Sequence, residues 1–183
     1  MLIRSRMGTS VDGFVASIDG MPALLSMPGF VPGVSHGYLE FVADCDAVLM
    51  GRSTFLPALG APQWPWPDLE VFVITSRPLP SGTPTDVITV SDPAAATERL
   101  HSRDGGRDVH VVGGPLTIRG LLEAGGLDRL EVVVLPLVLG EGIPLSPPGS
   151  PIRHLQLIGA PRAYPDGSVE LAYDTRVNSK GAS

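Results

Sequence analysis

The chain has 183 residues, 43% of them hydrophobic, and a formal net charge of −6; it is long enough for one domain with one core and too apolar for a disordered chain. The acidic balance excludes a general nucleic-acid binder, whose contact face would be basic, and with Lys180 in the tail as the sole lysine a Schiff-base mechanism is excluded as well. Cys45 stands alone, which rules out an internal disulfide and fits a reducing cytoplasm.

The start, Met1-Leu2-Ile3-Arg4-Ser5-Arg6, carries charges where an export signal needs an apolar stretch. The longest apolar run, Val132 to Leu139, is interrupted by Pro136 and is far short of a membrane span. Short β-rich runs alternate with helix-forming segments, the pattern of an α/β sheet. Leu2–Met7 reads as a first strand, followed by a Gly- and Pro-rich loop with turns at Asp12-Gly13 and Asp19-Gly20. His36–Cys45 reads as a helix with Ser35 as N-cap. Asp46–Met50, Val71–Thr75 and Asp86–Val90 read as strands. Pro93–Ser102 is a helix capped by Asp92, with Pro93 in its first turn. Val109–Val112 is a strand, Pro115–Ala124 a helix stopped by Gly125-Gly126, and Arg129–Leu135 a strong strand. Leu155–Ala163 and Val169–Val177 form a hairpin around Asp166-Gly167, and 178–183 a frayed tail. The whole is expected to be one domain, residues 1–177. The irregular stretches 17–34 and 56–69 read as loops that cover a site.

Three strands run into polar or glycine-rich turns. Ala47–Met50 leads into Gly51-Arg52-Ser53-Thr54, where a glycine admits a ligand to the backbone and N–H groups at a helix start favour an anion. Arg52 adds a guanidinium fork for phosphate. Val71–Ile74 leads into Thr75-Ser76-Arg77, hydroxyls and a cation suited to a further phosphate such as the 2′-phosphate of NADP. Val109–Val112 leads into Gly113-Gly114-Pro115-Leu116-Thr117, two glycines ahead of a helix whose dipole points at the turn. In open α/β sheets the ligand crevice lies at such carboxyl ends. Three turns in order point to a phosphate-bearing cofactor.

These segments resemble the dihydrofolate-reductase superfamily, and most of all the reductase domain at the C-terminus of bifunctional riboflavin-biosynthesis deaminase-reductases. The likeness is carried by Ser10–Ala16, Asp46–Thr54, Val73–Arg77, Val111–Pro115 and Pro136–Leu145. It implies a mixed, mostly parallel sheet with helices on both faces and a C-terminal β-hairpin. It implies NADPH as cofactor: the Gly51–Thr54 turn on phosphate and ribose groups, Ser76 and Arg77 at the adenosine end, Gly113, Gly114 and the following helix on the diphosphate. It also implies Val15 and Ala16 beside the nicotinamide, Gly8 beneath it, and a mobile loop over Phe14–Leu25. Folate reductases carry an acidic residue at the start of the helix after this loop; here Gly33–Tyr38 has none before Glu40. The expected activity is a hydride transfer to a small pyrimidine- or pterin-like heterocycle or a related C=N or C=O acceptor. Relatives often dimerise, which implies a homodimer, with the hairpin 155–177 or the apolar edge near it as the candidate interface.

Competing readings attach to several residues. Gly33-Val34-Ser35-His36-Gly37 fits G-x-S-x-G, but Met27–Pro32 cannot be the strand that a nucleophile elbow needs. The four histidines do not fall at metal-ligand spacings, so no metal site is expected. His36 is a candidate proton donor, against the expectation of a solvated first-turn histidine. Asp12 could orient substrate or simply close an Asx turn. Trp64 and Trp66 are expected to pack their loop, Cys45 to be a small buried hydrophobe, and Gly140-Glu141-Gly142 to be a turn. The alternatives to an enzyme are an NADP-binding module without turnover and an interaction protein that uses the fold alone.

Overall fold

The structure, a computed structural model, describes residues 1–103 and 105–176; Val177 and the expected tail 178–183 lie outside them. In chain order come β1 (Ile3–Ser10), β2 (Phe14–Ala16), 3-10 turns at Ala23–Ser26 and Ser35–Gly37, α1 (Tyr38–Ala43), β3 (Cys45–Gly51) and α2 (Arg52–Ala58). β4 (Glu70–Ile74), β5 (Ile88–Val90), α3 (Pro93–His101), β6 (Asp108–Gly113), α4 (Pro115–Glu123) and β7 (Arg129–Leu135) follow. The chain closes with β8 (Ile143–Pro144), β9 (Gln156–Leu157), β10 (Arg162–Ala163) and β11 (Val169–Asp174).

The main sheet runs β10-β11-β7-β1-β6-β3-β4-β5, with β9 also paired to β11. From β7 to β5 every pairing is parallel, and β11 joins β7 antiparallel. Parallel strands buried on both faces need near-continuous apolar runs, and Ala47–Met50 and Val71–Val73 supply them. On one face Ile3, Leu49, Phe72, Val109 and Val111 pack under α3 and α4 through Leu100, Ile118 and Leu121. On the other, Val48, Met50, Val71 and Val73 meet Phe55 of α2, with Trp64 and Trp66 packed beside it. Both tryptophans therefore do pack the 61–69 loop, edge to face. Farther along that face Ala23 and Met27 of the 17–34 loop lie on Val133 and Leu135. The fold class read from the sequence is the one observed.

Some local expectations are corrected. Ser35 caps no helix: its hydroxyl accepts the Val31 N–H at 2.9 Å, and His36 (φ 58°) and Gly37 (φ 70°) both turn left-handed, so the α-helix starts only at Tyr38. The stretch Leu155–Ala163 is not one strand but β9 and β10, each two residues long and paired to different parts of β11. Asp92 does cap α3, accepting the Ala95 N–H at 2.9 Å. Cys45 is buried, with its thiol pushed up to about 11 by burial.

The pair β2–β8 was not legible in the sequence. It is held by a close backbone approach at Gly142, where a Cβ would lie 2.2 Å from the Ala16 carbonyl oxygen and φ is 151°. Gly142→Ala therefore meets backbone on one side and a disfavoured conformation on the other. It is expected to cost about 2–3 kcal/mol, read from the midpoint of urea unfolding.

Candidate functional site

The carboxyl ends of β3, β4 and β5 border a groove of about 610 Å³, closed on its other side by the first turn of α4. β3 contributes Gly51, and Arg52 and Ser53 follow as α2 begins. Thr75, Ser76 and Arg77 come from the turn after β4, and Leu116 and Thr117 from α4. Eight of the residues singled out in the sequence thus line one groove. Leu56, Ile74, Ser91 and Pro93 line it too and were missed. The signal for the last two was present: Ile88–Val90 is a fourth strand whose end opens into a polar turn.

A Cβ on Gly51 would lie 2.7 Å from the Thr117 hydroxyl, so glycine here lets β3 and α4 meet across the groove floor. Gly113 (φ 133°) occupies backbone space that side chains rarely adopt, and a Cβ on Gly114 would lie 3.7 Å from the Thr54 hydroxyl. Gly114 and Thr54 thus lie side by side, but Thr54, Gly113, Gly114 and Pro115 are not among the residues that line the groove. The Gly114 carbonyl accepts the Thr117 and Ile118 N–H groups, and Pro115 has no N–H to leave unpaired. Arg52 donates to the Pro78 carbonyl at 2.7 Å. The Thr75 hydroxyl accepts the Arg77 N–H at 3.0 Å and donates to its carbonyl at 2.9 Å. Neither Arg52 nor Arg77 has an acidic partner among the described residues. In a chain of net charge −6, two such cations in one groove make it a place for anions.

Gly8, Val15 and Ala16 do not line this groove. Gly8 lies within β1, and the Leu24 side chain fills the space where its Cβ would stand, with carbons at 2.4–2.9 Å from that point. Val15 and Ala16 are buried in β2, opposite β8.

The sequence profile of the RibD C-terminal domain matches residues 2–166. The chain belongs to that family. Its curated relatives include the uncharacterized protein YwjB of Bacillus subtilis (strain 168), 28% identical over 137 residues, which cover 74% of this chain and 77% of that one. Among solved structures, a Shewanella sp. PV-4 protein assigned to riboflavin biosynthesis superposes with a TM-score of 0.79 at 24% identity, covering 95% of this chain and 98% of the other. The diaminohydroxyphosphoribosylaminopyrimidine deaminase/5-amino-6-(5-phosphoribosylamino)uracil reductase of Thermotoga maritima superposes at 0.66 with 16% identity, over 94% of this chain and 56% of that longer one.

In this RibD-type domain the two catalytic candidates stand in different surroundings. His36 is not the solvated residue expected of a first helical turn. It is buried, stacked on Phe30 at 5.8 Å and edge-on to Tyr164 at 5.0 Å. Its Nε2 lies 2.7 Å from Asp166 Oδ2, and its Nδ1 has no partner among the described residues. Burial works to raise the Asp166 carboxyl, but the Ser168 N–H and His36 outweigh it and hold it below its ordinary value. Asp12 lies in the turn after β1. Its carboxylate accepts the Leu139 N–H at 3.1 Å and the Gly140 N–H at 2.7 Å, tying that turn to the segment after β7. The Ser10 hydroxyl foremost, and then these amides, hold Asp12 below the ordinary carboxylate value.

Beneath α1 the same face of the sheet carries a buried ionic cluster. Arg4 donates to Glu131 at 2.7 Å and to Asp108 at 3.1 Å, and Arg6 to Glu131 at 3.0 Å and Glu170 at 2.7 Å. Arg6 and Tyr164 also donate to the His36 carbonyl. Among the described residues no group of three or more His, Cys, Asp or Glu is placed to hold a metal ion.

Proposed function

We propose that this RibD-type domain binds NADPH in the groove at the ends of β3, β4 and β5 and reduces a small, uncharged heterocycle. The observation that carries the reading is the pair Arg52 and Arg77, without acidic partners among the described residues, in a groove where Gly51 packs closely against Thr117 of α4. Arg52 and Ser53 would hold phosphate and ribose groups, Ser76 and Arg77 the 2′-phosphate, and Gly113, Gly114 and the start of α4 the diphosphate. When bound, the cofactor supplies a hydride; the protein fixes distance, face and exclusion of water. With both Asp12 oxygens committed to backbone donors, the proton role falls to His36, oriented by Asp166.

An uncharged acceptor follows from the cations nearby. Segment 17–34 has no basic residue. Arg6 is engaged by Glu131 and Glu170, and Arg162 by Glu40 at 3.1 Å. Among the described residues, neither Arg6 nor Arg162 has a guanidinium left to meet a phosphorylated acceptor.

The test is a titration with NADPH and NADH, followed by quenching of Trp64 and Trp66. NADPH is expected to bind at least about 10-fold more tightly, since charge-assisted contacts to one phosphate contribute about 1.5–3 kcal/mol. Arg77→Ala is expected to remove most of that preference while leaving NADH binding nearly unchanged. Absence of binding by either nucleotide overturns the reading. A second reading, cofactor binding without turnover, is favoured by Leu24 seated over Gly8; it predicts the same titration with no acceptor-dependent oxidation of NADPH.

A further inference from the structure

A second cleft, of about 250 Å³, lies between α4 and the 145–155 segment. Its floor is apolar: Ile118 and Leu122 of α4, Leu130 of β7, and Leu145 and Leu155 from the far wall. Ile118 and Leu130 belong to the main core and Leu122, Leu145 and Leu155 pack against it, so the cleft reaches the interior rather than resting on the surface. The far wall is Ser146-Pro147-Pro148-Gly149-Ser150-Pro151, a run stiffened by proline and closed by a turn in which the Ser150 N–H and hydroxyl both donate to the Pro147 carbonyl, at 3.1 and 2.6 Å. A wall fixed in advance lowers the ordering cost of binding.

The polar groups at the mouth are unequal. Glu123 is taken by Arg119 at 2.8 Å, and Arg119 also reaches the Pro148 carbonyl at 3.4 Å. Arg153 lines the cleft, is exposed, and has no acidic or hydrogen-bond partner among the described residues. The cleft therefore presents an apolar floor and one uncommitted cation. Its volume falls just below the range of drug-sized sites, which begins at about 300 Å³, and so suits only a small ligand.

We infer that this cleft is a binding site for a small apolar anion, a ring or short chain carrying one carboxylate. The apolar body covers Ile118, Leu122 and Leu130, and the carboxylate pairs with Arg153. The inference is independent of the nucleotide reading, because the two sites share no lining residue.

Calorimetric titration of the full chain with 2-naphthoate and with its uncharged analogue 2-naphthylmethanol tests it. The carboxylate is expected to bind at least about 10-fold more tightly than the alcohol, the factor expected for one charge-assisted contact. Arg153→Gln is expected to reduce that ratio below about 3-fold while the alcohol still binds. Ser150→Trp, which fills the cleft, is expected to abolish both; Ser146→Trp on the exposed rim serves the same purpose if the first variant fails to fold. Equal binding of acid and alcohol, no binding of either, or binding that survives the filled cleft overturns the inference.

Discussion

Replacing His110 by leucine is expected to make the protein more stable, and more so in mild acid. His110 lies on β6 between Arg4 of β1 and Val48 of β3. It is 3% exposed, enclosed by Tyr38 and Phe41, and neither ring nitrogen has a partner among the described residues. An unsatisfied buried polar group costs about 1–3 kcal/mol, which leucine avoids. The pH dependence has a definite sign. Burial, and then the nearby Arg4 and Arg6, push the imidazole down to about 3. The unfolded chain takes up a proton below about pH 6.5 and the folded one does not, so stability falls on acidification by about 1.4 kcal/mol per pH unit until the folded value is reached. Between pH 7 and 5 the wild type is expected to lose about 2 kcal/mol more than His110→Leu. Urea unfolding of both proteins at the two pH values measures it. Equal losses would show that the site is hydrated and that the imidazole titrates normally.

Glu131→Gln is expected to have the opposite and larger effect. The Glu131 carboxylate holds both Arg4, at 2.7 Å, and Arg6, at 3.0 Å, and the three side chains are 5–10% exposed. Both guanidinium groups also lie near the Phe41 ring, at 4.5 and 5.6 Å. The amide keeps the shape but removes the charge shared by two buried cations, and breaking such a cluster costs about 3–5 kcal/mol. Asp108 retains a hold on Arg4 and Glu170 on Arg6, so the chain is expected to fold with a lower denaturant midpoint and an unchanged slope. An unchanged midpoint would show that the cluster is solvated.

What the sequence discloses follows from how local the cause is. Parallel strands such as Val71–Ile74 are apolar along their whole length because both faces are covered, and they can be read directly. The groove is legible for the same reason, since each lining turn directly follows such a strand. β2, β8, β9 and β10 have only two or three residues each, too few to show a period, and their pairing is decided by partners far along the chain. Arg4 and Arg6 alternate with Ile3, Ser5 and Met7 as in a strand with one wet face. Only α1, Glu131 and Glu170, brought from elsewhere, make that face an interior. Asp166 reaches His36 across 130 residues of chain, and no spacing rule connects them.

The strand order also dictates how this protein must be made. β3, β4 and β5 neighbour one another in sequence and in space and can pair as they leave the ribosome. β1, the first strand synthesised, has no partner among them: it lies between β6 and β7, and Ile3 waits for Val109. Until Gly113 has emerged, the amino-terminal strand with its two arginines has neither edge satisfied, and until Leu135 has emerged only one. Its charges then keep it soluble, and burying those same charges is among the last acts of assembly.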